Sequence, residues 1–448
     1  MSHTKKLSIE DLTNWHLTGT RPHARLVTGI EVEQPLVFSE SGRAVPFYSD
    51  DERNIDTLIK LLIKRCGWKL EKRDAGYPVL LSRGETLLTL EVWGGLEIVG
   101  KPHRNLHDLT AEYAIVAHEL GTVGRLLGIT FAGLGIQPIS TTDQTYHVDR
   151  PRWLLMIDHF KHAGSSTFTD WNRRCAAIQV NIDSTGKKNL EKKFYLLNRI
   201  APVIAAMFAN SNVQHGKLSS HASNRYRYMQ AAEEARFNPP ASFISPDFRL
   251  EDHAEHALDI PMIFIERRGK SIPVKNKTFR EYMKGGYHGH TARIADWEKH
   301  LGFVWQDVRI KQWIEFRPID TVPPGLAPAA AAVIKGLAYD HRGWDCMEQL
   351  TTGWHYREWR QFRLDVAKKG LAAEIHGVTA GALAKQVLKS AAANLARLDH
   401  KNPLGQDESI YLEPIEQLIA KDHTPASFIA ERWRAGWRMP ELLKWSSY

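Results

Sequence analysis

Acidic and apolar residues alternate in three short segments of this chain. A period of two is typical of a strand, in which charged side chains share one face and the apolar residues between them point to the other. The segments are GIEVE with Glu31 and Glu33, LEVWGGLEI with Glu91 and Glu97, and RIKQWIEFR with Arg309, Lys311, Glu315 and Arg317. Carboxylates that share a face repel one another unless a cation lies between them. The pattern therefore predicts a charged, functional face of a β-sheet.

The same patterning predicts the other elements. Extended apolar segments predict strands at 27–37, 79–81, 87–99, 129–136, 176–182, 261–264 and 308–316. Apolar residues at steps of three and four predict helices that start after Ser8, at 56–66, 108–127, 192–209, 327–337 and 380–398, and after Thr424. The segment 210–248 is polar and irregular, and we expect it to be a binding loop or a lid.

The order of these elements indicates the fold class. Strands concentrate in the first two-thirds of the chain and do not alternate regularly with helices, which favours an α+β fold with a largely antiparallel sheet over a doubly wound parallel one. We expect a single catalytic domain over residues 1–448, whose part from about residue 325 to residue 448 is helical.

Composition narrows the class of protein. The formal net charge of +8 is spread over the chain without a long basic run, so we expect no nucleic-acid partner. The three cysteines, Cys66, Cys175 and Cys346, lie far apart, which is typical of a reducing compartment. The first residues carry no apolar signal region, and no run of about 18 apolar residues occurs. These features predict a soluble, untargeted cytoplasmic protein with no membrane partner.

The acidic face suggests a class of chemistry. Hard oxygen ligands beside open positions suit Mg²⁺ held together with substrate phosphates. An arginine next to them suits phosphate oxygens, because its guanidinium is a charged, forked donor. The three segments together therefore predict an ATP-using active site on a sheet.

Further segments resemble a known family, the type 2, plant-like glutamate–cysteine ligases, which belong to the glutamine-synthetase-like carboxylate–amine ligases. The resemblance runs almost from end to end, in the order GIEVE (29–33), IQVNID (178–183), AAMFANS (205–211), ALDIPMIF (257–264), DWEKHLGFVWQDVRIKQWIEFR (296–317) and HTPASFIAERW (423–433). Arg225 and Arg236 stand eleven residues apart, as do two loop arginines of the family.

The resemblance implies a fold, an activity and substrates. The expected fold has its antiparallel sheet shaped into an active-site funnel and flanked by helices, as in glutamine synthetase. The implied activity joins the γ-carboxylate of L-glutamate to the amine of L-cysteine through a γ-glutamyl phosphate, with ATP and Mg²⁺ as cofactors. This is the first step of glutathione biosynthesis, and we expect a monomer or a homodimer.

The resemblance also implies residue roles. Metal ligands are expected at Glu31, Glu33, Glu91, Glu97 and Glu315. Catalytic roles fall to Arg317 as a phosphate clamp, to Lys311, and to the loop arginines Arg225 and Arg236. Gln179 and Asn181 share a strand face and are expected to contact the nucleotide or the metals, together with Lys311 and Arg317.

Departures from the family pattern leave alternatives open. The segment 91–97 reads EVWGGLE where the family has EPGGQLE, Trp153 replaces a tyrosine, Met229 replaces a tryptophan, and Pro318-Ile319-Asp320 replaces GAD. The enzyme could therefore be a γ-glutamyl ligase for another amine, or a pseudoenzyme that binds nucleotide. Arg227 competes with Arg225 for the functional position, while the HGH motif at 288–290 favours a solvated loop over a metal site.

Overall fold

A computed structural model describes residues 6–146, 149–165 and 167–447; the first five residues and Tyr448, which bear on the sequence analysis above, lie outside this part. The strands are β1 (Thr28–Gln34), β2 (Leu36–Phe38), β3 (Lys69–Asp74), β4 (Tyr77–Arg83), β5 (Thr86–Leu90), β6 (Leu96–Val99), β7 (Ile129–Phe131), β8 (Ala177–Ile182), β9 (Val213–Gln214), β10 (Lys217–Leu218), β11 (Phe264–Arg267), β12 (Lys270–Pro273), β13 (Val308–Ile310), β14 (Ile314–Asp320), β15 (Glu374–Ile375) and β16 (Val378–Thr379).

Helices connect these strands and make up most of the C-terminal part. They are α1 (Ile9–Leu17), α2 (Ile55–Cys66), α3 (Leu106–Leu126), α4 (Pro151–His162), α5 (Phe168–Arg174), α6 (Lys187–Met207), α7 (Asn224–Gln230), α8 (Glu234–Phe237), α9 (Leu250–Asp259), α10 (Phe279–Gly285), α11 (Ile294–Leu301), α12 (Ala327–Ala338), α13 (His341–Leu350), α14 (Tyr356–Lys369), α15 (Ala380–Leu398), α16 (Glu413–Ala420), α17 (Pro425–Arg434) and α18 (Met439–Ser446). The predicted caps hold: Ser8 and Thr424 accept backbone N–H groups at the starts of α1 and α17.

Eight strands form the central sheet in the order β13-β14-β8-β1-β6-β5-β4-β3. Each neighbouring pair is antiparallel. The strands come from the first two-thirds of the chain and helices flank them, so the predicted α+β class with a largely antiparallel sheet is confirmed.

One face of the sheet carries the core. Val32 on β1, Val180 on β8 and Phe316 on β14 are fully buried. Helices α3, α6 and α12 pack against strands β1, β8 and β14. The alanines of α12 are small, which lets its backbone approach the sheet closely. The side chains that alternate with these buried residues must point to the opposite face.

Several predicted strands have different bounds. The segment predicted as one strand at 308–316 is a hairpin, β13 and β14, which places Arg309 opposite Glu315. A strand at 129–136 was expected, but strand β7 ends at Phe131 and Ile136 forms only an isolated bridge. The strand expected at 261–264 starts only at Phe264. Strand β3 was not predicted, because its six residues are charged apart from Leu70, as is common on an edge strand.

Strand β14 contains a bulge beside the predicted phosphate clamp. Phe316 pairs with Val180 and Ile319 pairs with Ile178, so β14 has one residue more than β8 between these pairs. The extra residue falls at Arg317-Pro318. Proline has no N–H to offer the ladder, which is why proline inside a sheet is found at such bulges.

The segment 210–248 is not an open lid, contrary to the expectation. It contains β9, β10, α7 and α8, and its side chains Tyr226, Phe237 and Phe243 are fully buried. Its polar residues bond to the core, since the buried carboxylate of Asp320 accepts the backbone N–H of Asn210 at 2.8 Å. The composition was misleading because these polar groups are satisfied inside the protein and not by water. No helix in the described ranges is long and apolar enough to cross a membrane.

Candidate active site

The register of strands β1 and β6 brings two predicted carboxylates together. Glu33 is the direct partner of Glu97, and Thr89 on strand β5 lies opposite Glu97 from the other side. The Thr89 hydroxyl donates to Glu97 at 2.6 Å. Burial, and then repulsion from Glu31 and other glutamates, raises the pKa of Glu97 well above its ordinary value. The carboxyl group of Glu97 therefore tends to keep its proton in the folded protein.

Strand β8 supplies amides on the same face. Glu31 lies opposite Gln179 in the register, and Gly29 lies opposite Asn181. The amide of Gln179 donates to Glu33 at 2.8 Å, and that of Asn181 donates to Glu31 at 2.6 Å. The backbone N–H of Ala177 also donates to Glu33, at 2.7 Å. The predicted amides thus touch the predicted carboxylates.

Glu91 reaches the same face from the turn before β6. Its backbone N–H donates to the carbonyl of Gly95 at 2.8 Å and closes a tight turn. Burial, and then repulsion from Glu33, raises the pKa of Glu91 to about 7. The glycines of this turn have a structural reason: a Cβ at position 95 would lie 2.3 Å from Cη2 of Trp93, whose indole lies over Gly95.

Glu31, Glu33, Glu91 and Glu97 share one partly buried face, and a cation among them would relieve the repulsion that helps to raise the pKa of Glu91 and Glu97. Their side chains are not arranged around one point. Across the described residues, no group of three or more His, Cys, Asp or Glu side chains is placed to hold a metal ion. The amides of Gln179 and Asn181 hold Glu33 and Glu31 instead.

Glu315 differs from the other glutamates because cations surround it. Arg309, its partner in the hairpin, donates to both carboxylate oxygens at 2.7 and 2.9 Å, and Arg317 donates to it as well. Nζ of Lys311 lies 3.4 Å away. Although burial opposes it, the charges of Arg309, Lys311 and Arg317 hold the pKa of Glu315 well below its usual value. Sequence reasoning placed Lys311 and Arg317 correctly near Glu315 but did not identify Arg309 as its main partner.

Arg225 belongs to the site and Arg227 does not. The side chain of Arg225 is only 2% exposed, and its Nη2 donates to the carbonyl of Arg317 at 2.8 Å. Asp320 anchors the start of helix α7 by accepting from the Ser223 hydroxyl at 3.0 Å. Arg227 is exposed and lies over the ring of Tyr228. Of the two candidates left open by the sequence, the structure therefore brings Arg225 next to Arg317 and leaves Arg227 at the surface.

Arg236 is the predicted site residue that the structure places elsewhere. Its side chain is fully buried. Nε of Arg236 lies 2.9 Å from a carboxylate oxygen of Glu233, and the guanidinium also donates to the carbonyls of Phe303 and Pro261. These bonds fix the segment around helix α8. Arg225 lies on helix α7 and Arg236 on the separate helix α8, and the hydrogen-bond partners of the two side chains differ.

Two cavities adjoin the charged face. The larger, about 740 Å³, is lined by Lys311, Trp313 and Arg152 among others, and its volume falls in the range typical of small-molecule sites. The smaller, about 90 Å³, reaches Glu33, Glu91, Arg225 and Arg317. Trp153 lines both.

Sequence reasoning missed most walls of the smaller cavity. They include the indoles of Trp93, Trp171 and Trp305 and the side chain of Asn172. The spacing of these tryptophans does not distinguish them from core residues, and the only signal in the sequence is that Trp93 and Trp153 depart from the family pattern. Cys175 lines the same cavity, and burial raises the pKa of its thiol, so the group is neutral.

Comparisons with known proteins identify relatives along nearly the whole chain. Residues 27–438 match the model of a family described as glutamate–cysteine ligase family 2. The chain is 26% identical over 440 residues to the chloroplastic glutamate–cysteine ligase A of Oryza sativa subsp. indica, covering 97% of this chain and 86% of that protein. It is 27% identical over 438 residues to the chloroplastic glutamate–cysteine ligase of Arabidopsis thaliana, covering 97% and 81%.

Solved structures share the fold. A glutamate–cysteine ligase from Francisella tularensis, crystallised with AMP, superposes with a TM-score of 0.55 at 12% identity, covering 94% of this chain and 87% of that one. A bifunctional glutathione synthetase from Pasteurella multocida superposes with a TM-score of 0.54 at 13% identity, covering 94% and 52%.

The predicted cytoplasmic location is contradicted, because the plant relatives are chloroplastic proteins.

Proposed function

The chain belongs to glutamate–cysteine ligase family 2, and we propose that it joins the γ-carboxylate of L-glutamate to the amine of L-cysteine at the expense of ATP. The observation that carries this proposal is the register of strands β6, β1, β8 and β14, which gathers Glu97, Glu33 and Glu31 on one face with Arg317 beside them. Acidic residues and a forked cation on one rigid sheet suit phosphoryl transfer, in which positioning and charge neutralisation do most of the work.

A carboxylate needs activation before an amine can attack it, because its leaving group is otherwise oxide. Transfer of the terminal phosphoryl group of ATP to the γ-carboxylate gives an acyl phosphate, from which the amine displaces phosphate. Arg225 and Arg317 are cations that act on the carboxylate of Glu33. We assign Arg317 to the transferred phosphate and Arg225 to a substrate carboxylate.

The negative charge of the site suits Mg²⁺, but the glutamate side chains are not arranged around one point in this structure. Glu31, Glu33, Glu91 and Glu97 are the residues that would hold it, after Glu31 and Glu33 turn away from their amide partners. A bound Mg²⁺ would neutralise phosphate oxygens. Glu315 was predicted as a fifth ligand, and that role would require it to leave at least one of its three cations.

The larger cavity is our proposed nucleotide site. Lys311 lines it and bridges toward Glu315, so a phosphate there would lie beside the charged face. Trp313 adds an aromatic surface.

The decisive experiment is release of ADP from ATP and L-glutamate, measured across a panel of amines, with the product identified by mass spectrometry. We expect release that depends on both glutamate and amine, with L-cysteine preferred among common amino acids. If the protein binds ATP but releases no ADP with any amine of the panel, it is a nucleotide-binding pseudoenzyme.

Arg317→Lys tests the assigned phosphate contact. It keeps the charge and removes the fork, so we expect kcat to fall by at least about tenfold while KM for glutamate changes little. Arg227→Lys, two residues beyond Arg225 and exposed, is the matched control. An effect confined to KM for glutamate would move Arg317 to substrate-carboxylate binding.

A further inference from the structure

The N-terminal helix α1 holds the turn between strands β13 and β14. Nδ1 of His16 on α1 lies 2.7 Å from the carbonyl oxygen of Lys311, and the His16 side chain is fully buried. A carbonyl oxygen can only accept, so Nδ1 carries the proton and donates it. The main chain at Lys311 is therefore bound by a residue that lies 295 positions earlier in the chain.

The end of the same helix holds the next residue of the turn. Nε2 of Gln312 donates to the Thr18 hydroxyl at 2.6 Å. The Gln312 backbone also packs directly against Gly19, where an added Cβ would lie 1.8 Å from the Gln312 carbonyl oxygen. The absence of a side chain at position 19 is what permits this close approach. Two successive residues of the turn are thus contacted by α1 and the residues that follow it.

The turn depends on these contacts because its own sequence does not define its conformation. Lys311, Gln312 and Trp313 include none of the residues that favour tight turns, such as glycine, proline, asparagine or aspartate. Helix α1 is itself well anchored, since Leu12 is fully buried in a core that α1 shares with helix α9. The helix therefore offers a fixed surface against which the turn is set.

This turn borders the larger cavity. Lys311 and Trp313 line it, together with Trp15 from α1. Nζ of Lys311 also lies 3.4 Å from the carboxylate of Glu315, between the cavity and the charged face. A shift of the Lys311 backbone would move its ammonium group relative to both. The contact from His16 therefore controls a cation of the proposed nucleotide site from behind.

We propose that His16 is a positioning residue for nucleotide binding, which sets Lys311 at the larger cavity by holding the main chain of the β13–β14 turn. The inference rests on the proposed function for the identity of the ligand as a nucleotide. His16 contacts the backbone of the turn and acts on the nucleotide only through Lys311.

The test is calorimetric titration of the full chain, in the presence of Mg²⁺, with AMP-PNP, an ATP analogue that resists hydrolysis. His16→Leu keeps an apolar side chain and removes the donor, so AMP-PNP should bind at least about fivefold more weakly, the scale of one lost hydrogen bond. His16→Asn retains an N–H donor close to the backbone and should stay within about twofold of the wild type.

A double-mutant cycle separates positioning from a general structural role. Lys311→Met should weaken AMP-PNP binding, because it removes a cation from the cavity. If His16 acts through Lys311, then adding His16→Leu to Lys311→Met should weaken binding by less than about twofold more. His107→Leu removes a comparable contact, between a histidine and the carbonyl of His400, away from the turn. It is the matched control and should bind AMP-PNP like the wild type.

Gly19→Ala reaches the same turn by another route and replaces His16→Leu if that variant is poorly folded by circular dichroism. Its methyl group would press on the Gln312 carbonyl, so AMP-PNP should again bind more weakly. In steady-state kinetics, both variants should raise KM for ATP at least about fivefold while KM for glutamate stays within about twofold.

Two results would overturn the inference: AMP-PNP binding within about twofold of the wild type in both His16→Leu and Gly19→Ala, or equal weakening by His16→Leu with and without Lys311. An unchanged affinity in Lys311→Met would reject the nucleotide site and the inference with it. Failure of the ligase proposal gives a different result. Absence of ADP release with every amine would reject that proposal, while AMP-PNP binding that depends on His16 and Lys311 together would still support the positioning role.

Discussion

Arg363 on helix α14 forms an ion pair with Asp307 at the start of the β13–β14 hairpin, with 2.9 Å between Nε and Oδ2 and side-chain exposures of 1% and 0%. The Asp307 carboxylate also accepts from the Tyr226 hydroxyl at 2.9 Å, and its backbone carbonyl accepts from the N–H of Arg317. The C-terminal helical part therefore fixes the two segments that carry Arg225 and Arg317.

We expect Arg363→Met to lower the free energy of unfolding by about 3–5 kcal/mol, because it leaves a buried carboxylate without its cation. Removing both charges in Arg363→Met with Asp307→Leu should recover part of that loss. Urea unfolding measures both variants. Arg360→Met, one turn earlier and paired with Glu234 at the surface, is the control and should cost less than about 1 kcal/mol.

Glu97→Gln should stabilise the protein when no divalent cation is present, on the order of 1 kcal/mol, because it removes a like charge opposite Glu33. Folding raises the pKa of Glu97, so the free energy of unfolding of the wild type falls as pH rises from the unfolded pKa through the folded pKa of this group. The free energy of unfolding of Glu97→Gln should fall less over the same pH range. Turnover should fall at least about 10²-fold. Melting curves recorded with and without Mg²⁺ measure the effect, and the exposed Glu85→Gln variant is the control. Equal stabilisation of the wild type and Glu97→Gln by Mg²⁺ would contradict the role of Glu97 at a cation site.

Glu315→Gln should have the opposite effect on stability. It leaves Arg309, Lys311 and Arg317 close together without their shared anion, so we expect a loss of about 3–5 kcal/mol in urea unfolding, together with a fall in turnover of at least about 10²-fold. Glu40→Gln removes an exposed partner of Arg53 and serves as the control. Unchanged stability with a lost response to Mg²⁺ would indicate that Glu315 acts as a metal ligand in solution.

His16 makes stability depend on pH. Its buried ring contacts the carbonyl of Lys311 through Nδ1 at 2.7 Å, and burial lowers its pKa to about 4 from 6.5. Because the folded value is the lower one, stability is complete above pH 6.5 and is lost as pH falls toward 4, on the order of 3 kcal/mol in total. We expect His16→Asn to reduce the difference between urea midpoints at pH 7 and pH 5. An equal reduction in the exposed control His162→Asn would remove His16 as the cause.

The sequence predicted which residues share a face better than it predicted their partners. Alternation in GIEVE is a local property, so the placement of Glu31 and Glu33 on one face followed directly. That Glu97 lies opposite Glu33 depends on the pairing of distant strands, which no local pattern encodes. The hairpin between Arg309 and Glu315 was missed because its three-residue turn, Lys311 to Trp313, contains neither glycine nor proline.

The small cavity shows the same limit. Trp93, Trp153, Trp171 and Trp305 come from four separate segments, and none has a spacing that distinguishes it from a core residue. The polar composition of the segment 210–248 predicts exposure to solvent. In the structure, Asp320 and Arg363 instead bind polar groups of this segment inside the protein. Long-range polar contacts of this kind are visible only once the fold is known.

The contact between Trp93 and Gly95 constrains how this turn can evolve. An indole at position 93 leaves no space for any side chain at 95, and a side chain at 95 would force the indole away. Positions 93 and 95 should therefore covary. This chain has tryptophan at 93 and glycine at 95, and a bulkier residue at 95 should occur with a small residue at 93, as in the EPGGQLE pattern. A single substitution at either position passes through an unfavourable intermediate, so lineages that differ in this wall of the cavity are separated by a coupled, two-step change.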